Sequence, residues 1–320
     1  MNKSAHNTLA LNKPLTGAYI QLDDMIAARF AAKDLKLQQR RKALSQLAGP
    51  NKTNFRGRGL DFAEVRAYQA GDDIRSIDWR VTARTGKAYT KLFQEERERP
   101  MLVVTDQRQP MFFGSQCCFK SVTACYVSAL LAWSALQQGD RVGGLVFGNE
   151  DQQEIRPRRS RQSALALMHS LLDYNQKLNR ETGLAVDHSL RLNEVLSELR
   201  RISKPGQAIY LISDFAGFDN EQVQKHLFQL SRHCEITALL ATDPMEAELP
   251  PPGFYTISDG AKRQSLFTGG KVRDQYRRQY QEHVQGLHQN LAKIGIPLIE
   301  LSTTQAPLQQ MLKYYGTQRR

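Results

Sequence analysis

The chain has 320 residues, of which 41% are hydrophobic and 24% are charged, and its formal net charge is +12. This composition is typical of an ordinary soluble globular protein. The best candidate for a membrane span, residues 126–136, has about half the length that a membrane helix needs, so no membrane span is expected. The cysteines show neither metal-binding nor redox spacing, which predicts reduced thiols in a cytoplasmic protein.

The N-terminal region carries most of the excess positive charge. Residues 1–60 hold eleven basic against three acidic side chains. Residues 1–18 are predicted to form a disordered tail, and residues 19–50 an amphipathic helix in which Leu22, Ile26 and Phe30 form an apolar stripe. Arg40 and Arg41 lie off that stripe. We expect them to contact an acidic protein surface and no specific nucleic acid, because no base-reading motif accompanies them.

Residues 51–99 are predicted to form a small β-rich element with turns at 70–72 and 85–87. Its signature, GLDFAEVRAYQAGDDIRSIDW, places acids, bases and aromatic residues side by side. Asp78, Trp79 and Arg80 are interpreted as structural residues that hold the fold. Three other charged residues are candidates for protein contact: Arg66, Asp72 and Asp73.

Residues 100–320 alternate apolar runs with helical patterns. Strands are predicted at 101–105, 141–147, 207–213, 235–241 and 296–301. Helices are predicted at 119–138, 161–174, 189–202, 220–231, 272–293 and 307–315. This alternation predicts an α/β fold with a doubly wound, mainly parallel sheet.

Acidic residues follow three of the predicted strands. Asp106 and Asp214 come at the ends of two strands, and Asp243 follows a third. The carboxyl ends of parallel strands meet at one edge of a sheet, where carboxylates can collect a divalent cation through oxygen ligands. The alternative is that each aspartate caps the next helix or turn.

Two stretches resemble known families. The succession of a strand ending at Asp106, the strand RVGGLVF and the strand YLIS with Asp214 resembles a von Willebrand factor A-type domain. The signature at 59–79 resembles that of the bacterial DUF58 family. The resemblance implies a MoxR-associated protein, of the short form without N-terminal membrane helices, that works beside a MoxR-type AAA+ ATPase.

The metal-binding motif of that domain type is incomplete. The resemblance implies Asp-x-Ser-x-Ser, in which a carboxylate and two hydroxyls bind Mg²⁺. Here Arg108 and Pro110 replace the two serines, so the sequence predicts a degenerate site formed by Asp106, Arg108 and Asp214. We expect the Arg108 guanidinium to lie near both carboxylates in place of the cation, and we expect no cofactor.

No phosphate-binding loop or nucleophile elbow occurs in the sequence. The preferred interpretation is a non-enzymatic adaptor or scaffold that acts with a MoxR-type ATPase in the assembly or activation of an unknown protein client. One alternative is a metal-dependent protein-binding module with a residual adhesion-type Mg²⁺ site. Another is a metal-dependent nuclease that uses the acids of the signature. The arginine cluster at 156–161 is either an anion-binding surface or a solvated loop.

Overall fold

The N-terminal segment forms a short helix, α1 (Leu22–Ala31), followed by a 3-10 turn at Ala32–Asp34. The computed structural model describes residues 13–37, 61–69, 77–94, 100–179, 187–258 and 263–316. The buried residues of α1 are Met25, Ala28 and Ala31, which recur every three residues. The predicted stripe is therefore wrong in part, because Phe30 is 48% exposed. The rest of the predicted helix, with Arg40 and Arg41, lies outside the described residues.

The chain divides into two compact units, one of residues 1–53 with 100–320 and the other of residues 54–99. In the smaller unit, β1 (Asp61–Ala67) pairs antiparallel with β2 (Tyr89–Gln94), and helix α2 (Trp79–Thr85) comes between them in sequence. The Asp78 carboxylate accepts hydrogen bonds from two backbone N–H groups of α2, and Gly86 ends the helix with a φ of 69°. The sequence predicted only strands and turns here. The structure adds a short helix at Trp79–Thr85, because Asp78 caps its N-terminus and Gly86 ends it.

The larger unit contains a six-stranded sheet in the order β10–β7–β6–β3–β4–β5. All neighbouring strands are parallel except β5, which is antiparallel to β4 at the edge. A separate antiparallel hairpin is formed by β8 and β9. The strands of this unit are β3 (Pro100–Asp106), β4 (Arg141–Phe147), β5 (Gln152–Arg158), β6 (Ala208–Ser213), β7 (Glu235–Thr242), β8 (Phe254–Ser258), β9 (Arg263–Phe267) and β10 (Leu298–Ser302).

Helices cover both faces of the sheet. They are α3 (Lys120–Gln137), α4 (Arg161–Lys177), α5 (His188–Ile202), α6 (Glu221–Ser231), α7 (Pro244–Ala247), α8 (Gly270–Lys293) and α9 (Pro307–Tyr315). Side chains of a strand alternate between the faces, so Val103 packs with α1, α3, α4 and α9, while Leu102 packs with α5, α6 and α8. This is the doubly wound α/β fold predicted from the sequence, and it is consistent with a von Willebrand factor A-like arrangement.

Two glycines let β4 approach its neighbours closely. A Cβ atom on Gly143 would lie 2.4 Å from the carbonyl oxygen of Ile155 on β5. A Cβ atom on Gly144 would lie 2.4 Å from a methyl carbon of Leu167 on α4. Glycine therefore occupies the two positions of β4 at which β5 and α4 lie too close to its backbone for a larger side chain.

Strand β5 and the β8–β9 hairpin were not predicted. β5 is an edge strand whose residues are exposed or only partly buried, so it lacks the apolar run that marks the central strands. In the hairpin, Phe254 is 84% exposed and contacts Phe267 on the partner strand, with ring centroids 4.9 Å apart. Such strands have little core to bury, and their hydrophobic pattern is correspondingly weak.

Candidate functional site

The carboxyl edge of the sheet gathers five charged side chains. Asp106 ends β3 and Arg108 follows it, Asp214 follows β6, Lys120 begins α3 and Glu246 lies on α7. Because β3, β6 and β7 are parallel and adjacent, their carboxyl ends meet at this edge. The sequence predicted the two aspartates but not Lys120 or Glu246.

Asp106 and Arg108 form a fully buried ion pair. The guanidinium donates from Nε to Oδ1 at 3.0 Å and from Nη2 to Oδ2 at 2.6 Å, and both side chains are 0% exposed. The Ser213 hydroxyl, at the end of β6, donates to the same Oδ2 at 2.6 Å. Burial alone would lower the pKa of Arg108, but the Asp106 carboxylate outweighs this effect and the pKa is raised. The guanidinium is therefore charged in the folded protein.

The remaining nitrogen of Arg108 ties two loops together. Nη1 donates to the carbonyl oxygen of His188 at 2.6 Å and to that of Ala216 at 3.1 Å. The loop after β6 is turned toward it by Phe215, a buried residue in the left-handed region with a φ of 58°. Such a conformation is costly for a bulky residue and persists where the surroundings impose it. Arg108 thus joins β3, the β6 loop and the start of α5.

Asp214 lies between two cations. Its Oδ1 is 3.9 Å from Nη2 of Arg108, and its Oδ2 is 3.0 Å from Nζ of Lys120. Burial alone would raise the pKa of Asp214, but Lys120 and Arg108 together bring it below the ordinary value. The Arg108 guanidinium therefore lies beside both strand-end carboxylates, where the sequence predicted it.

Lys120 is buried at 1% exposure and bridges two carboxylates, since its Nζ is also 2.5 Å from Oε1 of Glu246. Burial alone would lower the pKa of Lys120, but Asp214 and Glu246 raise it instead. Burial raises the pKa of Glu246, and the attraction of Lys120 only partly offsets this. Lys120 therefore contacts both carboxylates.

The residues at this edge do not fit a magnesium ion. A cation site needs oxygen ligands free to face the metal, and here the Asp106 and Asp214 oxygens already face Arg108 and Lys120. Among the residues that the structure describes, no group of three or more His, Cys, Asp or Glu side chains is arranged to hold a metal ion.

The third predicted acid, Asp243, caps the N-terminus of α7. Capping was the alternative to metal binding for the strand-end aspartates. Its carboxylate accepts from the N–H of Met245 at 3.0 Å, from the Thr303 hydroxyl at 2.6 Å and from the Ser115 hydroxyl. The Glu246 carboxylate accepts in return from the Asp243 N–H at 2.9 Å. The Asp-x-x-Glu spacing is a capping box, and this local signal could have revealed Glu246 from the sequence.

The signature residues of the smaller unit lie apart from this cluster in sequence and are described on their own. Asp78 caps α2, as noted above. The interpretation of Trp79 as a packed structural residue is wrong, because its side chain is 67% exposed and no residue of α2 is buried. Arg80 is exposed and Arg66 is half-buried. Asp72 and Asp73 lie outside the described residues.

Relatives of the chain cover nearly its whole length. The uncharacterized protein Mb1516 of Mycobacterium bovis is 27% identical over 301 residues, which are 93% of this chain and 91% of the relative. Among solved structures, the conserved hypothetical protein BatB from Bacteroides thetaiotaomicron has a TM-score of 0.40 at 15% identity and covers 68% of this chain and 98% of that chain. An aerotolerance-related membrane protein from Bacteroides fragilis, crystallised with multiple mutations to serines, has a TM-score of 0.35 at 14% identity, with the same coverage.

The cytoplasmic location predicted from the sequence is corrected by these comparisons, since one of the similar structures is described as a membrane protein. No helix in the described part of the chain is long and apolar enough to cross a bilayer. Reduced cysteines and the lack of an apolar run do not distinguish a cytoplasmic protein from one attached to a membrane by other means. The inference from those two features was therefore too strong.

A family model described as "Protein of unknown function DUF58" matches residues 64–289, more than half of the chain. The match includes most of the smaller unit and all five members of the charged cluster at the carboxyl edge. It agrees with the resemblance seen in the signature sequence. The chain belongs to the DUF58 family.

Proposed function

We propose that the chain is a non-enzymatic adaptor that binds protein through the carboxyl edge of its sheet and works with a MoxR-type AAA+ ATPase on a protein client. The observation that supports this proposal is the internal ion network at that edge. Arg108 and Lys120 pair with Asp106 and Asp214 at 2.6 and 3.0 Å. These are the carboxylates that a metal-dependent module would use for its cation.

An internal arginine has a consequence for binding that a metal does not. A bound cation exchanges with solvent, whereas a guanidinium is part of the chain and stays protonated at any physiological pH. The loops that Arg108 joins are thus held in one arrangement without any cofactor. These loops have already lost their conformational entropy when the chain folds. Binding of a partner to the loops therefore costs less conformational entropy.

Exposed apolar side chains surround this network. Phe113 is 37% exposed, and its ring centroid lies 6.0 Å from Nζ of Lys120. Leu190 is 56% exposed and follows His188, whose carbonyl oxygen binds Arg108, by two residues. Tyr19 is 41% exposed and its ring contacts Phe112 in the loop after β3. Exposed aromatic and aliphatic residues grouped at one edge are typical of a protein-binding surface.

The choice of partner rests on the family. The resemblance to DUF58 implies a MoxR-associated protein. Genes of such proteins commonly neighbour genes of MoxR-type ATPases. The proposed role of these systems is the assembly or activation of client proteins. Arg40 and Arg41 remain predicted contacts for an acidic surface of the ATPase. The adhesion-type binding module and the nuclease both require a cation site. No contact among the described residues favours such a site.

The test is direct binding between the purified chain and the MoxR-type ATPase of the same organism, with and without ATP. We expect association that Phe113→Ser combined with Leu190→Ser weakens strongly. Phe228→Ser is the matched control, because Phe228 is 48% exposed on α6 and lies outside the proposed edge. Absence of any complex in either nucleotide state would refute the ATPase partnership. Equal losses in the edge and control variants would refute the edge as the binding surface.

A further inference from the structure

Three exposed arginines lie at the far end of the edge strand. Arg156 and Arg158 lie on β5, Arg161 begins α4, and all three are exposed. None of them forms an ion pair with a described carboxylate, whereas Lys177 and Arg191, which lie at the other end of β5, do. We call Arg156, Arg158 and Arg161 the arginine edge.

The arginine edge is distinct from the carboxyl edge. Arg158 is in register with Val142 near the start of β4, while Asp106 is in register with Phe147 at its end. Five residues of strand separate these positions, or roughly 17 Å at about 3.3 Å per residue. The two surfaces therefore lie at opposite ends of the sheet.

The backbone beneath the arginines is firmly held. β5 carries a bulge, because Ile155 and Arg158 are three residues apart but pair with Gly144 and Val142, which are two apart. The Ser163 hydroxyl donates to the carbonyl of Val142 at 2.7 Å and to that of Arg156 at 3.3 Å. The bulge and Pro157 interrupt the regular backbone ladder, which disfavours pairing with a further strand. We therefore take the exposed side chains as the recognition groups of this edge.

The placement of these charges is unfavourable for the isolated protein. Arg161 occupies the first position of a 17-residue helix that has no acidic residue in its first turn. The positive end of the helix dipole repels cations there and favours anions. The guanidinium groups of Arg156 and Arg158 on the adjoining strand raise the local positive potential further. A carboxylate-bearing ligand would relieve this repulsion and could bind each guanidinium through two hydrogen bonds.

We propose that the arginine edge binds an acidic protein segment in extended conformation. Arg156 and Arg158 flank the half-buried Pro157 in the bulge, and both are exposed. An extended peptide with several glutamates can place one carboxylate at each guanidinium. Glu154, exposed two residues earlier, would repel a continuous phosphate backbone but not a peptide with a neutral or basic residue there. The proposal is independent of the adaptor function proposed above.

The test is fluorescence anisotropy with a labelled peptide of alternating glutamate and serine, at about 150 mM salt, where charges are screened over about 8 Å. The wild-type protein should bind it, and Arg156→Glu combined with Arg158→Glu should weaken binding by about tenfold or more, which is about 1.4 kcal/mol per tenfold step. The control is Lys271→Glu with Arg278→Glu on α8, two exposed residues whose reversal changes the net charge equally. It should change affinity less than about twofold.

Three outcomes would overturn the proposal. The first is a wild-type protein that does not bind the peptide. The second is an equal loss in the two charge-reversed variants, which would indicate a net-charge effect. The third is tighter binding of an oligothymidylate or of phosphatidylserine vesicles than of the peptide, which would assign the arginine edge to nucleic acid or lipid. A thermal melt of each variant checks that these exposed substitutions leave the fold intact.

Discussion

Replacement of Arg108 by methionine should destabilise the larger unit strongly. Methionine has a similar length but no charge, so Asp106 would stay buried at 0% exposure without its cation. Removing one partner of a buried ion pair typically costs about 3–5 kcal/mol. The carbonyl oxygens of His188 and Ala216 would also lose their common donor. The Ser213 hydroxyl still donates to Asp106, so we expect about 3–5 kcal/mol in total and not a sum of every lost contact.

Chemical denaturation followed by tryptophan fluorescence would measure this loss. The chain has two tryptophans, of which Trp133 is buried in the larger unit and Trp79 is exposed in the smaller one. The Trp133 signal therefore reports on the unit that contains Arg108. In a thermal melt, a loss of 1 kcal/mol lowers the melting temperature by roughly 2–4 °C for a domain of about 150–250 residues.

Two further variants show whether the pair itself is responsible. Asp106→Asn combined with Arg108→Met should cost less than the sum of the single changes, with a coupling of about 0.5–3 kcal/mol. Arg158→Met is the matched control, because this arginine is exposed and should lie within about 0.5 kcal/mol of wild type. An Arg108→Met protein as stable as this control would refute the reasoning. So would saturable Mg²⁺ binding to the wild type that Asp106→Ala abolishes.

Three other predictions concern stability. The pKa of Asp214 is depressed although burial opposes this, so its contribution to stability is fully present above its unfolded pKa near 3.8 and is lost as pH falls through the lower folded value. The stabilities of wild type and Asp214→Asn should therefore begin to converge only below about pH 3.8. Trp79→Ala should leave the melting temperature nearly unchanged, within about 0.5 kcal/mol, whereas Asp78→Ala should destabilise α2 by about 0.5–2 kcal/mol, as circular dichroism of the two variants would show. Gly144→Ala should cost about 1–3 kcal/mol in urea denaturation, because the new methyl group would press on Leu167; a neutral effect would show that α4 moves aside freely.

Much of the fold could be predicted from local patterns. The apolar run at 141–147 coincides with β4, and the helical pattern at 307–315 coincides with α9. Both elements bury a continuous face, and burial imposes the hydrophobic pattern that the sequence displays. The position of Arg108 beside Asp106 could also be predicted, since the two residues are only two apart and belong to one loop.

Only the tertiary structure revealed the elements and contacts without a local pattern. The polar edge strand β5 was not predicted because it buries almost no apolar surface. The burial of Trp79 was predicted wrongly, because an aromatic side chain can be either buried or exposed and the sequence does not distinguish the two. Lys120 meets Asp214 across 94 residues and Glu246 across 126 residues. The charge partner of a buried lysine depends on which strand ends and loops the sheet brings together, and chain distance carries no information about that. The sequence by itself therefore determined the layers of the fold and the strand-end acids, while the packing of the parallel strands decided that two internal cations lie between them.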